Sequence, residues 1–357
     1  MRYREFKRHF KIYFVTAIIF MALSVFSRIT LSKVFGVSHH GHENFSTYGE
    51  IEFITVMILI GSFWLALLSS FLDIVVLKKL VKKKPFGTVI IIGFVAQVGM
   101  IVVVISLLSL FYETAMAWIY WDEIPPLTFH ELLFVLVYLI LATTLSKFAI
   151  EMDRKLGPGN LWKVINGRFF KPREEERIFM FVDMKGATSI AEKIGHIEFS
   201  KLLQDCFQDF AIVDRYSTDI YQYVGDEVVV SWSQKRGLNE DNFLNAFFAF
   251  NDKLKMKSAY YKEAYGITPF FKAGANFGPV VVAEVGDIKR EIVYHGDTLN
   301  TASRIQNRCN DLNAQLLISE NLYHFVKGAE GYNLEDVGWI DLKGKEKDER
   351  LYRVTKL

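Results

Sequence analysis

Arg177-Ile-Phe-Met-Phe-Val-Asp183 is an apolar run that stops at a carboxylate, and Met184-Lys185-Gly186-Ala187-Thr188 follows it. The run reads as a buried strand. The small residues after it read as a turn and a helix start, whose free N–H groups would lie beside the carboxylate. Further on, Tyr221-Gln222-Tyr-Val-Gly225-Asp226 is followed by Glu227-Val-Val-Val230. Gly225-Asp226 sits between two β-rich runs, which is a hairpin signal. With the hairpin folded beside the first strand, Asp183 and Asp226 meet at one end of a sheet. Two carboxylates placed so can hold two divalent cations on a polyphosphate. Either aspartate alone would read as a turn residue or a helix cap.

A third segment joins them. Tyr294-His-Gly296-Asp-Thr-Leu-Asn300-Thr-Ala-Ser-Arg304-Ile305 reads as strand, turn and helix start. Asn300 and Arg304 are four apart and project from one helix face. With these segments in this order, residues 177–357 resemble the class III nucleotidyl cyclases. The resemblance implies an α+β, ferredoxin-like catalytic domain. The early order βααββ, then αβ, agrees with that core. Strands and helices mix without strict βα alternation, so helices are expected on one sheet face.

The same resemblance implies cyclisation of a nucleoside triphosphate, with attack of the 3′-hydroxyl on the α-phosphate and release of pyrophosphate. Asp183, Asp226 and the carbonyl of Met184 are then the ligands of two Mg2+ or Mn2+ ions. The Lys185, Gly186, Ala187 and Thr188 segment faces the β- and γ-phosphates, with Thr188 as a cap. Asn300 orients the ribose and Arg304 stabilises charge on the transferring phosphate. Lys272, where relatives carry Arg, and Lys343 are phosphate contacts; Lys keeps the charge and loses the fork. In the family two catalytic domains pair head to tail, one giving the aspartates and the other the Asn and Arg. This chain carries both sets, which implies a homodimer with two equivalent sites.

The base-reading positions, Gln222 on the hairpin beside Gly225 and Val293 on the later strand, depart from the Lys of adenylate cyclases and the Glu of guanylate cyclases. An amide donates and accepts, so Gln222 does not decide the base; the resemblance makes adenine the first expectation and leaves guanine or a pyrimidine open. Gly225-Asp226-Glu227 also resembles part of a diguanylate cyclase hairpin, but the second glycine is missing and the Asn300/Arg304 pair does not belong there. A catalytically silent nucleotide sensor would not need both aspartates, Asn300 and Arg304.

The rest of the chain differs in composition. Its 357 residues are 51% apolar and 15% aromatic, both concentrated before residue 150. Residues 12–31, 51–77, 88–112 and 129–150 are apolar stretches near or above the ~20 residues that span a bilayer. The expectation is an α-helical membrane domain of four transmembrane helices over residues 1–150. A helical linker or transducer over 151–176 and the catalytic domain over 177–357 would follow. Arg2, Arg4, Lys7, Arg8 and Lys11 precede the first stretch, and Lys78, Lys79, Lys82, Lys83 and Lys84 follow the second. Residues 113–127 hold no Lys or Arg. By that bias the N-terminus and the catalytic domain are cytoplasmic, in a multi-pass protein of the cell (inner) membrane with lipid as a partner. The first stretch reads as an uncleaved anchor.

Gly157-Pro158-Gly159 interrupts the helix leaving the fourth stretch, and Lys171–Glu176 reads as a charged hinge. Cys206 and Cys309 read as reduced packing residues. The net charge of +2 comes with no basic stripe, so no nucleic-acid partner is expected. His39, His40 and His42 read as a polar loop rather than a metal site, and Asn44-Phe-Ser46 as a chance sequon. Asp73 is expected to pair with Lys78 or Lys79.

Overall fold

A computed structural model describes residues 3–35, 47–77, 80, 84–116, 129–157 and 159–357. They divide into two compact units, Met1–Gly159 and Asn160–Leu357.

The first unit is helical: Tyr3–Phe35, Thr47–Phe71 running into a π-helical turn at Leu72–Leu77, Phe86–Met116 and Phe129–Leu156. This corrects the expectation of four transmembrane spans. Among the described residues one helix, Leu59–Leu77, is long and apolar enough to cross a membrane, and Gly87–Val103 is apolar but shorter. The multi-pass localisation and the orientation read from the lysines fall with it. The physical reason lies inside the unit. Ser62, Ser69, Asp73, Gln97, Ser146 and Lys147 are buried within these apolar helices. Apolar runs of this length can therefore build a bundle around a polar interior, and length with apolar content overcounts spans. Asp73 has partners on other helices, while Lys78 and Lys79, expected beside it, lie outside the described residues. Asp73 pairs with Lys147 and accepts from the Tyr13 hydroxyl at 2.7 Å. Lys82 and Lys83 also lie outside the described residues, as do His39, His40, His42 and the Asn44 sequon.

The second unit is α+β. Its strands are β1 (Arg173–Met184), β2 (Asp219–Val224), β3 (Glu227–Ser233), β4 (Phe271–Val285), β5 (Glu291–His295), β6 (Leu316–Ser319), β7 (Tyr332–Ile340) and β8 (Glu349–Lys356). They form one sheet in the order β2-β3-β1-β4-β6-β8-β7, with β5 paired to β4. β1 lies antiparallel between β3 and β4, and only β4 with β6 is parallel. The first four strands thus give the ferredoxin-like order.

Period-two alternation divides β1 between two layers. Ile178, Met180, Val182 and Met184 join the main core with Leu202, Phe210, Phe247 and Phe250, under the helices His196–Phe210 and Asn242–Met256. Phe179 and Phe181 face the other way, toward Val229, Tyr294 and Ala302. Ala302 belongs to the helix Asp297–Asn307, so helices cover both faces rather than one. Glycine permits this. A Cβ on Gly274 of β4 would lie 2.1 Å from the Gln306 nitrogen, and one on Gly278 would lie 2.7 Å from Thr298 Oγ1. Without side chains at these two positions the helix settles directly on the strand.

One boundary differs from expectation for a local reason. The charged segment Glu174–Glu176 is not a hinge but the start of β1, with Val281, Val280 and Pro279 as partners. Backbone pairing at an exposed strand end needs no apolar pattern. β4 runs unbroken through Gly278 and Pro279, with Pro279 exposed.

Candidate active site

The sheet register builds the acidic centre. Asp183, at the end of β1, has Glu227 of β3 and Lys272 of β4 as its cross-strand partners. Gly225 and Asp226 form the two-residue connection of the β2–β3 hairpin, whose last pair is Val224 with Glu227. Gly225 takes φ 59°, which a tight turn of this kind needs and glycine supplies. Asp226 is thereby delivered to Asp183, close enough for a hydrogen bond between the two carboxyls.

Electrostatics follow from that proximity. Burial, then the Asp183 charge and the hydrogen bond to it, hold the Asp226 carboxyl above its usual range. Glu227 is pushed up to about 7 by burial first and by the Asp183 and Asp226 charges after it. One ammonium stands against these three carboxylates: Lys272 Nζ lies 3.4 Å from Asp183 Oδ2. Crowded, under-compensated carboxylates attract a cation, and two carboxylates with a nearby carbonyl at Met184 are hard oxygen donors suited to Mg2+ or Mn2+. Among the described residues no cluster of three or more His, Cys, Asp or Glu side chains is arranged to hold a metal.

Gln306 is the further member that sequence reading missed. Its Nε2 donates to Asp183 Oδ2 at 2.9 Å. Glu227 was quoted beside Asp226 but given no role, and burial is what makes it part of the centre. Gln306 had one faint signal, its position two residues past Arg304, which turns it to the opposite face of the helix.

The other expected residues fall in three places. Gly186 takes φ 73° at the start of the helix Ala187–Ile194, with no side-chain cap. Thr188 is therefore inside the first turn and not the cap. The Lys185 N–H is committed to the Phe270 carbonyl at 2.9 Å, and the first helical bond runs from the Ile190 N–H to the Gly186 carbonyl at 3.0 Å, so the free donors of this turn lie between Lys185 and Ile190. Asn300 is exposed and Arg304 half-buried on the outer side of the helix Asp297–Asn307. A Cβ on Gly344 would lie 3.4 Å from the Arg304 guanidinium, which brings the 342–345 loop and its exposed Lys343 to that side. Lys345 in the same loop is engaged by Asp297 at 3.2 Å and Glu349 at 3.0 Å.

Gln222 is exposed on β2, opposite Val229. A register shift between Ile220 and Gln222 turns it to the face that carries Asp183. Val293 is half-buried on β5, opposite Ala283. Their neighbours Tyr221 and Tyr294 meet edge to face at 5.2 Å.

Comparison with known proteins places this arrangement. Adenylate cyclase 2 of Rhizobium meliloti (strain 1021) is 33% identical over 212 residues, 59% of this chain and 58% of that protein. The receptor-type guanylate cyclase gcy-28 of Caenorhabditis elegans is 27% identical over 169 residues, 46% of this chain and 13% of that protein. The chain thus spans less than two thirds of the length of either relative. In fold it is similar to a bacterial light-regulated adenylyl cyclase, with TM-score 0.52, 16% identity, and coverage of 61% of this chain and 64% of that one. The family model for the adenylate and guanylate cyclase catalytic domain matches residues 171–355, just over half the chain. With the ferredoxin-like sheet that carries Asp183 and Asp226, the chain belongs to the class III adenylate and guanylate cyclase catalytic domain family.

Proposed function

We propose that the chain converts ATP to 3′,5′-cyclic AMP and pyrophosphate, at sites completed between two copies paired head to tail. The observation that carries the shared site is the helix Asp297–Asn307. Gln306 turns inward and touches Asp183 of its own chain. Arg304 lies two residues earlier, about 200° around the helix axis, and Asn300 shares its outer side. One copy therefore presents its acids on one side of this helix and its Asn/Arg pair on the other. A second copy is the natural source of the missing half.

In this reading Asp183, Asp226 and the Met184 carbonyl would hold two Mg2+ or Mn2+. Bound there, the ions would ease deprotonation of the 3′-hydroxyl and neutralise the departing pyrophosphate. The free N–H groups at Ala187 and Thr188 would cradle the β- and γ-phosphates, and Lys343 would add a positive charge. Arg304 would bear on the charge that develops at the α-phosphate, and Asn300 would set the ribose. Lys272 sits beside Asp183, so its ammonium would act at the acid pair as well as on phosphate. Gln222 would meet the base, with Val293 packing beside it.

Adenine is preferred because the relative matched over the longest stretch here is an adenylate cyclase. GTP is the second reading, favoured by the guanylate cyclases among the relatives and by an amide at Gln222 that suits either purine. The purified chain incubated with Mn2+ and each of the four nucleoside triphosphates, with products identified by mass, tests both. Cyclic AMP as the main product is expected. Cyclic GMP would overturn the base assignment, and no cyclic product from any triphosphate would overturn the activity.

A further inference from the structure

Gln306 is 2% exposed, and its backbone is pressed against β4 over Gly274. A buried primary amide must find partners, and a site that needed only volume would take a leucine or methionine at lower cost. Its Nε2 donates to Asp183 Oδ2 at 2.9 Å, the same oxygen that Lys272 approaches at 3.4 Å. A hydrogen bond and an ion pair on one oxygen favour one setting of the carboxylate's last torsion beside Asp226.

We propose that Gln306 is a positioning residue for the acid pair: it holds the Asp183 carboxylate in the orientation that a divalent cation requires. This rests on the reading of Asp183 and Asp226 as cation ligands. The same helix bears Asn300 and Arg304 on its outer side. Gln306 therefore ties the acids of one half-site to the element that completes the other. Groups that orient metal-binding carboxylates from behind are commonly worth 10–100-fold in metal affinity or activity.

The experiment is a Mn2+ titration of the full chain, with free Mn2+ read from its paramagnetic resonance signal, on the wild type, Gln306→Met, Gln306→His and Asp183→Asn. Gln306→Met keeps the volume and removes the donor; Gln306→His keeps an N–H at similar reach. Mn2+ binding should weaken about tenfold in Gln306→Met, with partial recovery in Gln306→His. The Mn2+ concentration that half-saturates turnover should rise by a similar factor, and turnover at saturating Mn2+ should fall less. Unchanged Mn2+ binding in Gln306→Met, with binding lost in Asp183→Asn, overturns this proposal and leaves the catalytic reading standing. Unchanged binding in Asp183→Asn as well overturns the cation reading and this proposal with it. A Gln306→Met chain that fails to fold also counts against it, since the role proposed is orientation and not packing.

Discussion

One aspartate in each unit has a lysine beside it, and the two pairs sit in different surroundings. Asp73 of the helical unit is 5% exposed, ion-paired with Lys147 and hydrogen-bonded by Tyr13. Behind it Gln97 donates to the Tyr13 hydroxyl at 3.1 Å and accepts from Ser69 at 3.1 Å. Asp183 of the catalytic unit also has a lysine and a glutamine amide, yet its side chain is 22% exposed and a second carboxylate stands beside it. One carboxylate against one ammonium, closed from water, is a balanced structural lock. Several carboxylates around one ammonium, open on one side, form a site with charge left over for a ligand. Local residue types do not distinguish the two. Charge count and access do.

The sharpest way to break the comparison is to neutralise each aspartate. Asp183→Asn should lower turnover by more than roughly 100-fold, because a direct ligand is worth at least what residues behind ligands are worth. Its melting temperature should hold or rise, since removing one charge relieves repulsion with Asp226. Turnover above a tenth of wild type would refute the ligand role. The opposite pattern is expected in the helical unit. Asp73→Leu strands the buried Lys147 charge and should cost about 3–5 kcal/mol in denaturant unfolding, while Asp73→Leu with Lys147→Met should recover much of that loss. Equal losses in the single and double variants would show that the pair is not coupled.

Mixing sharpens the picture of the open site. Asp183→Ala and Arg304→Ala chains should each be inactive. Verified mixed dimers carry one intact site of two, so a random mixture should recover roughly a quarter of wild-type activity. Activity that stays at baseline would argue for sites contained within one chain. The smallest effect expected is in base choice. Gln222→Lys should sharpen preference for ATP and Gln222→Glu should shift it toward GTP, each by about 1–3 kcal/mol in the ratio of kcat/KM values. A ratio that moves in neither variant would remove Gln222 from the base pocket.

The catalytic unit was far more legible than the helical one, for a physical reason. Asp183 ends an apolar run and Asp226 follows a glycine between two strands, so each is marked by the local pattern that also makes its element. The hairpin appeared where expected, as β2 and β3. In the helical unit the local pattern was a run of apolar residues, which serves a membrane span and a bundle alike. Which buried polar residues meet there depends on contacts across 60 and 74 positions of sequence, Tyr13 to Asp73 and Asp73 to Lys147. Nothing near Asp73 in sequence names either partner.

What the sequence determined by itself was the order of carboxylate, hairpin and Asn/Arg helix, because strand, turn and helix periodicities are short-range. Only the tertiary structure decided what lies behind Asp183. Gln306 is 123 positions away and reaches it because Gly274 lacks a side chain and lets the helix rest on β4. The raised carboxyls of Asp226 and Glu227 were also a tertiary outcome, since they come from burial and from charges on a neighbouring strand. A residue's type is written in the chain, whereas its electrostatic state depends on which distant groups the packing brings within a few ångströms.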